Sequence, residues 1–194
     1  MKTGCLILAG GKNSRMGRQK SSLKINGMTF LEYLAEKLGR YGGYGEVFVS
    51  VDRLDSHREI SIPMIEDLYP DHGPMGGIYS AFAAGNFDWL LTVPCDVPLF
   101  SGELAEKLCE LSDEDADAVI IRTKDGRIHP LCGMYQSSCL PVLRECLEKR
   151  ELRMMQALGK LNVIFAEAGE DSWQLQNINT PEEYRLLVET YSNT

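Results

Sequence analysis

The 194-residue sequence has no long hydrophobic run, no closely paired cysteines and no excess of positive charge. No apolar stretch approaches the roughly 20 residues that cross a bilayer, and the N-terminus has none of the architecture of a signal peptide. We therefore expect a cytoplasmic protein with no membrane partner. The net charge of -8 and the pI near 5.0 argue against nucleic acid as a partner, because phosphate backbones require an extended basic surface. Any anionic ligand must be held in a local pocket.

The six cysteines contain no CxxC pair and share no ligand spacing with the three histidines. A zinc site is therefore disfavoured. Cys5 and Cys95 lie in apolar, strand-like segments, where a small buried thiol is the common finding. Reduced thiols agree with a cytoplasmic protein.

Short apolar runs alternate along the chain with segments of helical periodicity. The predicted strands share high apolar content and lie at residues 5–8, 47–51, 63–65, 89–93, 118–121 and 163–165. The predicted helices share a 3.6-residue apolar period and lie at residues 30–38, 75–84, 103–111, 139–149 and 153–158, with a last helix in "TPEEYRLLVE". This alternation is typical of an α/β sandwich whose mostly parallel sheet is covered on both faces. The absence of a repeat or linker favours one domain over residues 1–194.

Two local signals add detail to this fold. Asp125-Gly126 separates two extended segments and predicts a hairpin that adds an antiparallel element to the sheet. In the last helix, Thr180 suits the N-cap and Pro181 the first turn.

The segment "LILAGGKNSRMGRQK", residues 6–20, concentrates glycines and cations directly after the first predicted strand. Backbone N–H groups at Gly10 and Gly11 can approach an anion, because no side chain blocks them. Arg15 can make forked contacts to phosphate oxygens, and Lys20 adds a mobile point charge. The spacing matches neither the Walker A pattern nor G-x-G-x-x-G. The alternative is an ordinary glycine turn flanked by solvated cations.

Other polar residues follow further predicted strands. Ligands of open α/β sheets bind beyond the carboxyl ends of the strands, and this rule places Ser50, Asp67 and Asp96 at the edge that carries the glycine segment. Asp96, in "PCDVP", can bind a hard cation such as Mg²⁺, which prefers oxygen ligands. Alternatively it caps the helix in "SGELAEKL", although Ser101 is the better cap.

Five segments together resemble one family, the molybdenum cofactor guanylyltransferases or MobA family. They are "LAGGKNSRMGRQK", "IEDLYPDHGPMGGI", "PCDVP", "HPLCGMY" and "NINTPEEY", which appear in family order between residues 8 and 184. The resemblance implies a three-layer α/β/α Rossmann-like nucleotidyltransferase fold, with a mostly parallel sheet and an antiparallel hairpin element.

The resemblance also implies roles for individual residues. The nucleotide-binding positions are Leu8, Ala9, Gly10, Gly11, Lys20, Ser50, Asp67 and Asp96. The catalytic positions are Arg15, Lys20 and Asp96, with Mg²⁺ as the cofactor on Asp96 and with Asn179 reaching the metal or its waters. The sequence departs from the family at Gln19, where members usually have Asp, and at Ser50, where they often have Asn.

The implied reaction transfers GMP from GTP to the terminal phosphate of molybdopterin or Mo-molybdopterin and releases pyrophosphate. Partners in molybdenum insertion and molybdoenzyme maturation would follow from it. His129, Arg150 and Arg153 are candidates for the pterin side, against a structural histidine and a solvated helix face as the alternatives.

Other functions stay open at this point. A related enzyme would use CTP, or a cobinamide phosphate as acceptor, although Gly10 followed by Gly11 favours guanine, because cytidylyl relatives tend to read L-A-A-G at this loop. A protein of another class would bind the nucleotide or molybdopterin and carry it without turnover.

Overall fold

The computed structural model describes residues 2–9, 23–40, 45–54, 61–112 and 115–191. In these ranges the strands are β1 (Thr3–Leu8), β2 (Lys24–Ile25), β3 (Met28–Thr29), β4 (Val47–Val51), β5 (Met64–Glu66), β6 (Trp89–Pro94), β7 (Ala118–Arg122), β8 (Ile128–Gln136) and β9 (Val163–Glu167). The α-helices are α1 (Phe30–Gly39), α2 (Gly73–Ala84), α3 (Gly102–Glu110), α4 (Leu140–Glu148), α5 (Met154–Leu158) and α6 (Pro181–Tyr191). Short 3₁₀ helices cover Ser137–Cys139 and Gly169–Leu175.

Seven strands form one sheet in the order β5-β4-β1-β6-β8-β7-β9. β8 runs antiparallel to both of its neighbours, β6 and β7, and the other pairs are parallel. The predicted hairpin at Asp125-Gly126 is confirmed: it joins β7 to β8, and Gly126 takes φ 83, a left-handed conformation that glycine adopts without strain. The mostly parallel sheet with an antiparallel element is therefore confirmed.

Helices cover both faces of this sheet. On one face, Leu34 of α1 and Leu108 of α3 pack into a buried cluster with Val49 and Leu91. On the other face, Ile78 of α2 and Leu143 of α4 belong to a second cluster, to which α5 also contributes. The two clusters confirm the three-layer α/β/α arrangement.

The predicted elements agree with the structure to within two residues at each end. The Glu183 N–H donates to Thr180 Oγ1 at 3.2 Å, which confirms the predicted cap of α6. The small β2–β3 hairpin, with Asn26-Gly27 at its turn, was not predicted. Its strands have two residues each, too few to show an alternating pattern.

The predicted burial of Cys5 and Cys95 is confirmed. Cys5 and Cys95 are 0% and 5% exposed, and no disulfide joins any of the six cysteines, all of which the structure describes. Burial raises the pKa of the Cys5 thiol well above its ordinary value. Among the described helices, none is long and apolar enough to span a bilayer.

Candidate functional site

The carboxyl ends of four adjacent parallel strands, β5, β4, β1 and β6, meet at one edge of the sheet. Leu8 pairs with Ser50 on one side and with Pro94 on the other. Beyond it, the Ala9 N–H donates to Ser50 O at 3.3 Å, and the Cys95 N–H donates to Leu8 O at 3.0 Å. The backbone therefore brings the predicted positions at the ends of β1, β4 and β6 side by side.

Five positions singled out in the glycine segment lie outside the described residues. They are Gly10, Gly11, Arg15, Gln19 and Lys20. Ala9, the last described residue before them, lies at the edge where the strand-end rule expects the ligand.

Ser50 and Asp67 are in direct contact at this edge. The Ser50 hydroxyl donates to Asp67 Oδ1 at 2.7 Å, and the Asp67 N–H donates to Val51 O at 2.9 Å. The pKa of the Asp67 carboxyl is raised from its ordinary 3.8 to about 6, mainly because of burial; the Ser50 hydrogen bond opposes this shift, and the nearby negative charge of Asp52 adds to it. Ser50 is 2% exposed.

Gly77, which the sequence reasoning missed, makes room for the Ser50 side chain. It lies on α2, and a Cβ built there would be 2.3 Å from Ser50 Oγ and 3.2 Å from Leu8 Cδ2. Only a residue without a side chain allows α2 to approach the ends of β1 and β4 this closely. The available signal was the Gly-Gly pair within the helix in "GPMGGI".

Asp96 lies in the turn that follows β6. Ser101, rather than Asp96, caps α3, because Ser101 Oγ accepts from the Leu104 N–H at 3.3 Å. The Ile178 N–H donates to Asp96 O at 2.7 Å, and Asn177 Nδ2 lies 3.5 Å from Asp96 Oδ2. The "NIN" segment before α6 is therefore docked on the Asp96 turn.

The two asparagines of this segment, Asn177 and Asn179, make different contacts. Asn177, which was not predicted as a site residue, contacts the Asp96 carboxylate with its side chain. Asn179, the predicted metal residue, is exposed, and its main-chain N–H donates to Glu183 Oε2 at 2.6 Å. The sequence signal for Asn177 was its membership of the same motif, two residues before Asn179.

The residues around Asp96 fit a divalent cation that is shared with a substrate. Mg²⁺ typically takes one or two carboxylates from the protein and completes its shell with phosphate and water oxygens. Asp96 supplies a carboxylate, and the Asn177 amide lies beside it, with Nδ2 3.5 Å from Asp96 Oδ2. No cluster of three or more His, Cys, Asp or Glu occurs in the described part of the chain, so the fit is to a shared ion rather than to an all-protein cage.

His129 lies near the same end of the sheet. β8 runs antiparallel to β6, with Gly133 opposite Thr92, so the residues that precede Gly133 extend toward the Asp96 end. The negative charge of Asp96 adds to the rise that burial causes in the pKa of Cys132, on β8.

The His129 imidazole is 9% exposed, and its Nε2 has no hydrogen-bond partner among the described residues. Burial and the positive charge of Arg127 lower the pKa of this imidazole, against the smaller effect of Asp125. A buried ring nitrogen without a partner is suited to a ligand that supplies one.

Arg150 and Arg153, the other predicted pterin contacts, are exposed. Arg150 follows α4 with φ 56, and Arg153 directly precedes α5. Both arginines therefore lie in the connection between α4 and α5, and their part in the site stays a prediction.

Comparisons with known proteins show the family to which the chain belongs. Residues 5–163 match the model of the MobA-like NTP transferase domain. A molybdenum cofactor guanylyltransferase of Vibrio atlanticus is 30% identical over 188 residues, which cover 94% of this chain and 93% of that protein. One from Vibrio campbellii is 28% identical and covers similar shares, 94% and 93%.

A solved structure has the same fold. The molybdopterin-guanine dinucleotide biosynthesis protein A of Archaeoglobus fulgidus superposes with a TM-score of 0.85 at 21% identity, covering 98% of this chain and all of that one. Enzymes of this type typically use a divalent metal, in agreement with the donors at Asp96. With the family model matched over most of its length and full-length relatives at this identity, the chain belongs to the MobA-like NTP transferases, a family of nucleotidyltransferases.

Proposed function

We propose that the protein transfers GMP from GTP to the terminal phosphate of molybdopterin or Mo-molybdopterin, with release of pyrophosphate. The observation that carries the proposal is a pair of backbone hydrogen bonds, from the Ala9 N–H to Ser50 O and from the Cys95 N–H to Leu8 O. They join the ends of β4, β1 and β6, and so set Asp67 and Asp96 at one sheet edge. The names of the full-length relatives support guanylyl transfer in molybdenum cofactor synthesis. The buried thiols, with no disulfide, support a cytoplasmic setting.

The nucleotide would bind along the ends of β5, β4, β1 and β6. Backbone N–H groups of the glycine segment, Gly10 and Gly11, would cradle the triphosphate, and Arg15 and Lys20 would offset its charge. Ala9 starts this segment at the sheet edge, where its N–H is held by Ser50 O. Asp67 would accept hydrogen bonds from the nucleoside.

Asp96 would hold Mg²⁺, with Asn177 orienting the carboxylate and Asn179 reaching the waters of the ion. When bound, Mg²⁺ supplies positive charge that neutralises the phosphates and the departing pyrophosphate. Asp96 is tied to the body of the protein through its own carbonyl, which accepts from Ile178 N–H. That anchor, together with the Cys95 N–H bonded to Leu8 O, fixes the main chain of Asp96 relative to the end of β1.

The acceptor would approach from the β8 side of Asp96. An oxygen of its terminal phosphate attacks the α-phosphorus of GTP, the bond to the β-phosphate oxygen breaks, and pyrophosphate leaves. The second pKa of a phosphate monoester is about 6, so the acceptor is largely dianionic near neutral pH and needs no general base. His129 Nε2, buried and without a described partner, would bind the acceptor, and Arg150 and Arg153 would contact its phosphate as it enters. The finished cofactor would then pass to molybdenum-insertion and molybdoenzyme maturation proteins.

We expect GTP with Mg²⁺ to raise the melting temperature of the protein and CTP to leave it almost unchanged. A ligand at 100 times its Kd adds about 2.7 kcal/mol to the free energy of unfolding. For a chain of this size that corresponds to a rise of roughly 5 to 10 °C. Thermal unfolding with each of GTP, ATP, CTP and UTP measures the difference, with magnesium alone as the control.

Protection by CTP instead of GTP would contradict the choice of nucleotide. Release of pyrophosphate when GTP and molybdopterin are mixed distinguishes the enzyme from a carrier. A protein that binds both compounds and releases no pyrophosphate would be a carrier, contrary to the proposal.

We expect His129→Ala to raise the KM for molybdopterin about three- to tenfold, because one hydrogen bond to the acceptor is lost. The protection by GTP should stay at its wild-type level, since β8 lies on the other side of Asp96 from β4 and β5. Steady-state kinetics with each substrate varied in turn separates the two effects. An unchanged KM for molybdopterin would show that His129 does not bind the acceptor and has only a structural role.

A further inference from the structure

Ser50 is badly placed for direct contact with a nucleotide. Its side chain is covered by Gly77 of α2, and the whole residue is 2% exposed. A serine hydroxyl has a single proton to donate, and that of Ser50 is donated to Asp67 Oδ1 at 2.7 Å. The family resemblance predicts that Ser50 contacts the nucleotide. The burial of Ser50 and its hydrogen bond to Asp67 favour an indirect role instead.

We propose that Ser50 is a positioning residue, which holds the Asp67 carboxylate by one oxygen so that Oδ2 can accept hydrogen bonds from the nucleotide. The inference rests on the proposed function, because it assumes that the nucleotide binds at this sheet edge. It deepens that function by separating two residues that the family pattern treats alike. Asp67 touches the ligand, and Ser50 acts only through Asp67.

Gly77 of α2 contributes to the same arrangement, because it leaves room for the Ser50 hydroxyl. A Cβ at this position would lie 2.3 Å from Ser50 Oγ and 3.1 Å from Ser50 Cβ, so even alanine displaces the hydroxyl from its place. Asp67 is held on its other flank by main chain, because its N–H donates to Val51 O at 2.9 Å. The packing of α2 and the backbone bond of Asp67 therefore hold Ser50 Oγ and the Asp67 carboxylate within hydrogen-bond distance.

The charges around Asp67 make this hydrogen bond important. Asp52, after β4, repels the carboxylate, whereas Glu66, which precedes Asp67 on β5, is exposed to solvent. α2, which packs on β5, carries no charged residue, and its Ser80 hydroxyl is used by the Leu68 N–H and Gly76 O. Ahead of α2, Asp71 and His72 lie in the turn, where His72 Nδ1 contacts Pro70 O. Ser50 thus supplies a donor to the charged form of Asp67 in surroundings that disfavour it.

The test is Ser50→Ala, with the Kd for GTP in magnesium measured from about pH 5 to about pH 8. We expect binding three- to tenfold weaker at neutral pH, the loss of one hydrogen bond, with kcat within about twofold of wild type. The midpoint of the pH profile should also move upward relative to wild type, because Asp67 loses the donor that favours its ionised form. A residue with only a packing role would not move this midpoint. The comparison between variants cancels the ionisation of GTP itself.

Two further variants sharpen the result. Gly77→Ala should shift the midpoint in the same direction, and adding it to Ser50→Ala should weaken binding by less than the product of the two single effects, because both disturb one contact. Ser112→Ala, which removes a hydroxyl bonded to Leu108 O at the end of α3, is the matched control and should bind GTP as wild type does.

Each outcome is decisive. If wild type binds GTP, and Ser50→Ala binds it equally tightly with an unchanged pH profile, the inference is wrong while the proposed function stands. If wild type does not bind GTP, both are overturned. Weaker binding with a raised midpoint supports the positioning role.

Discussion

Asp96→Asn should reduce turnover by at least about 100-fold while leaving the fold intact. The amide has the same shape as the carboxylate but lacks the negative charge that would hold a divalent cation between protein and phosphates. Removing one preorganised electrostatic group from a reaction of this kind typically raises the barrier by about 2.7 to 4 kcal/mol, or roughly 100- to 1,000-fold in rate.

The fold should tolerate the change because the main chain anchors the Asp96 turn. Ile178 N–H donates to the carbonyl of Asp96, which the substitution keeps, and the new amide oxygen can still accept from Asn177 Nδ2. Release of pyrophosphate is measured beside thermal unfolding. Glu106→Gln, an exposed carboxylate on α3, is the control and should behave as wild type. Turnover within about fivefold of wild type would remove Asp96 from its assigned role.

Much of this site was predictable because of how an open parallel sheet is built. Parallel strands end at a common edge, so Asp67 and Asp96 could be grouped from the positions of two apolar runs alone. The hairpin at Asp125-Gly126 was equally accessible, because its turn chemistry is local. Both inferences need only short-range sequence signals and one general rule of topology.

The missed residues depend on contacts between segments far apart in sequence. Gly77 matters because α2 approaches Ser50, and nothing in the helix itself shows which glycine faces that side chain. Asn177 was not predicted, because the motif alone does not show that its side chain contacts the Asp96 carboxylate. That contact depends on the hydrogen bond from the Ile178 N–H to Asp96 O, between residues 82 positions apart in the sequence.

Asp67→Asn should weaken GTP binding by roughly 10- to 100-fold and, at the same time, stabilise the folded protein. A hydrogen bond to a charged group contributes about 1.5 to 3 kcal/mol, which sets the loss in binding. The gain in stability follows from the environment of Asp67, where burial and the charge of Asp52 raise the pKa of the carboxyl to about 6. Asparagine keeps an oxygen that can accept from Ser50 Oγ and carries no charge.

The size of the stability effect depends on pH. The pKa of Asp67 rises from an ordinary 3.8 to about 6 on folding, so between these values the folded chain binds more protons than the unfolded chain. The free energy of unfolding of wild type therefore falls as the pH rises through this window. Above it, Asp67→Asn should be more stable than wild type by about 1 to 2 kcal/mol, because the half-exposed carboxylate is still partly solvated. The difference should vanish below about pH 4.

Urea unfolding at about pH 4 and about pH 7.5, together with GTP titration, measures both effects. Glu66→Gln changes the adjacent, exposed carboxylate on β5 and should alter neither quantity appreciably. If a residue served stability, its replacement would destabilise the protein. If it carries a charge that is unfavourable for folding but needed by a ligand, its replacement gives a more stable protein that binds GTP less tightly. Equal stability of wild type and Asp67→Asn at neutral pH would show that folding does not penalise the Asp67 charge, and wild-type GTP affinity would remove Asp67 from the nucleotide site.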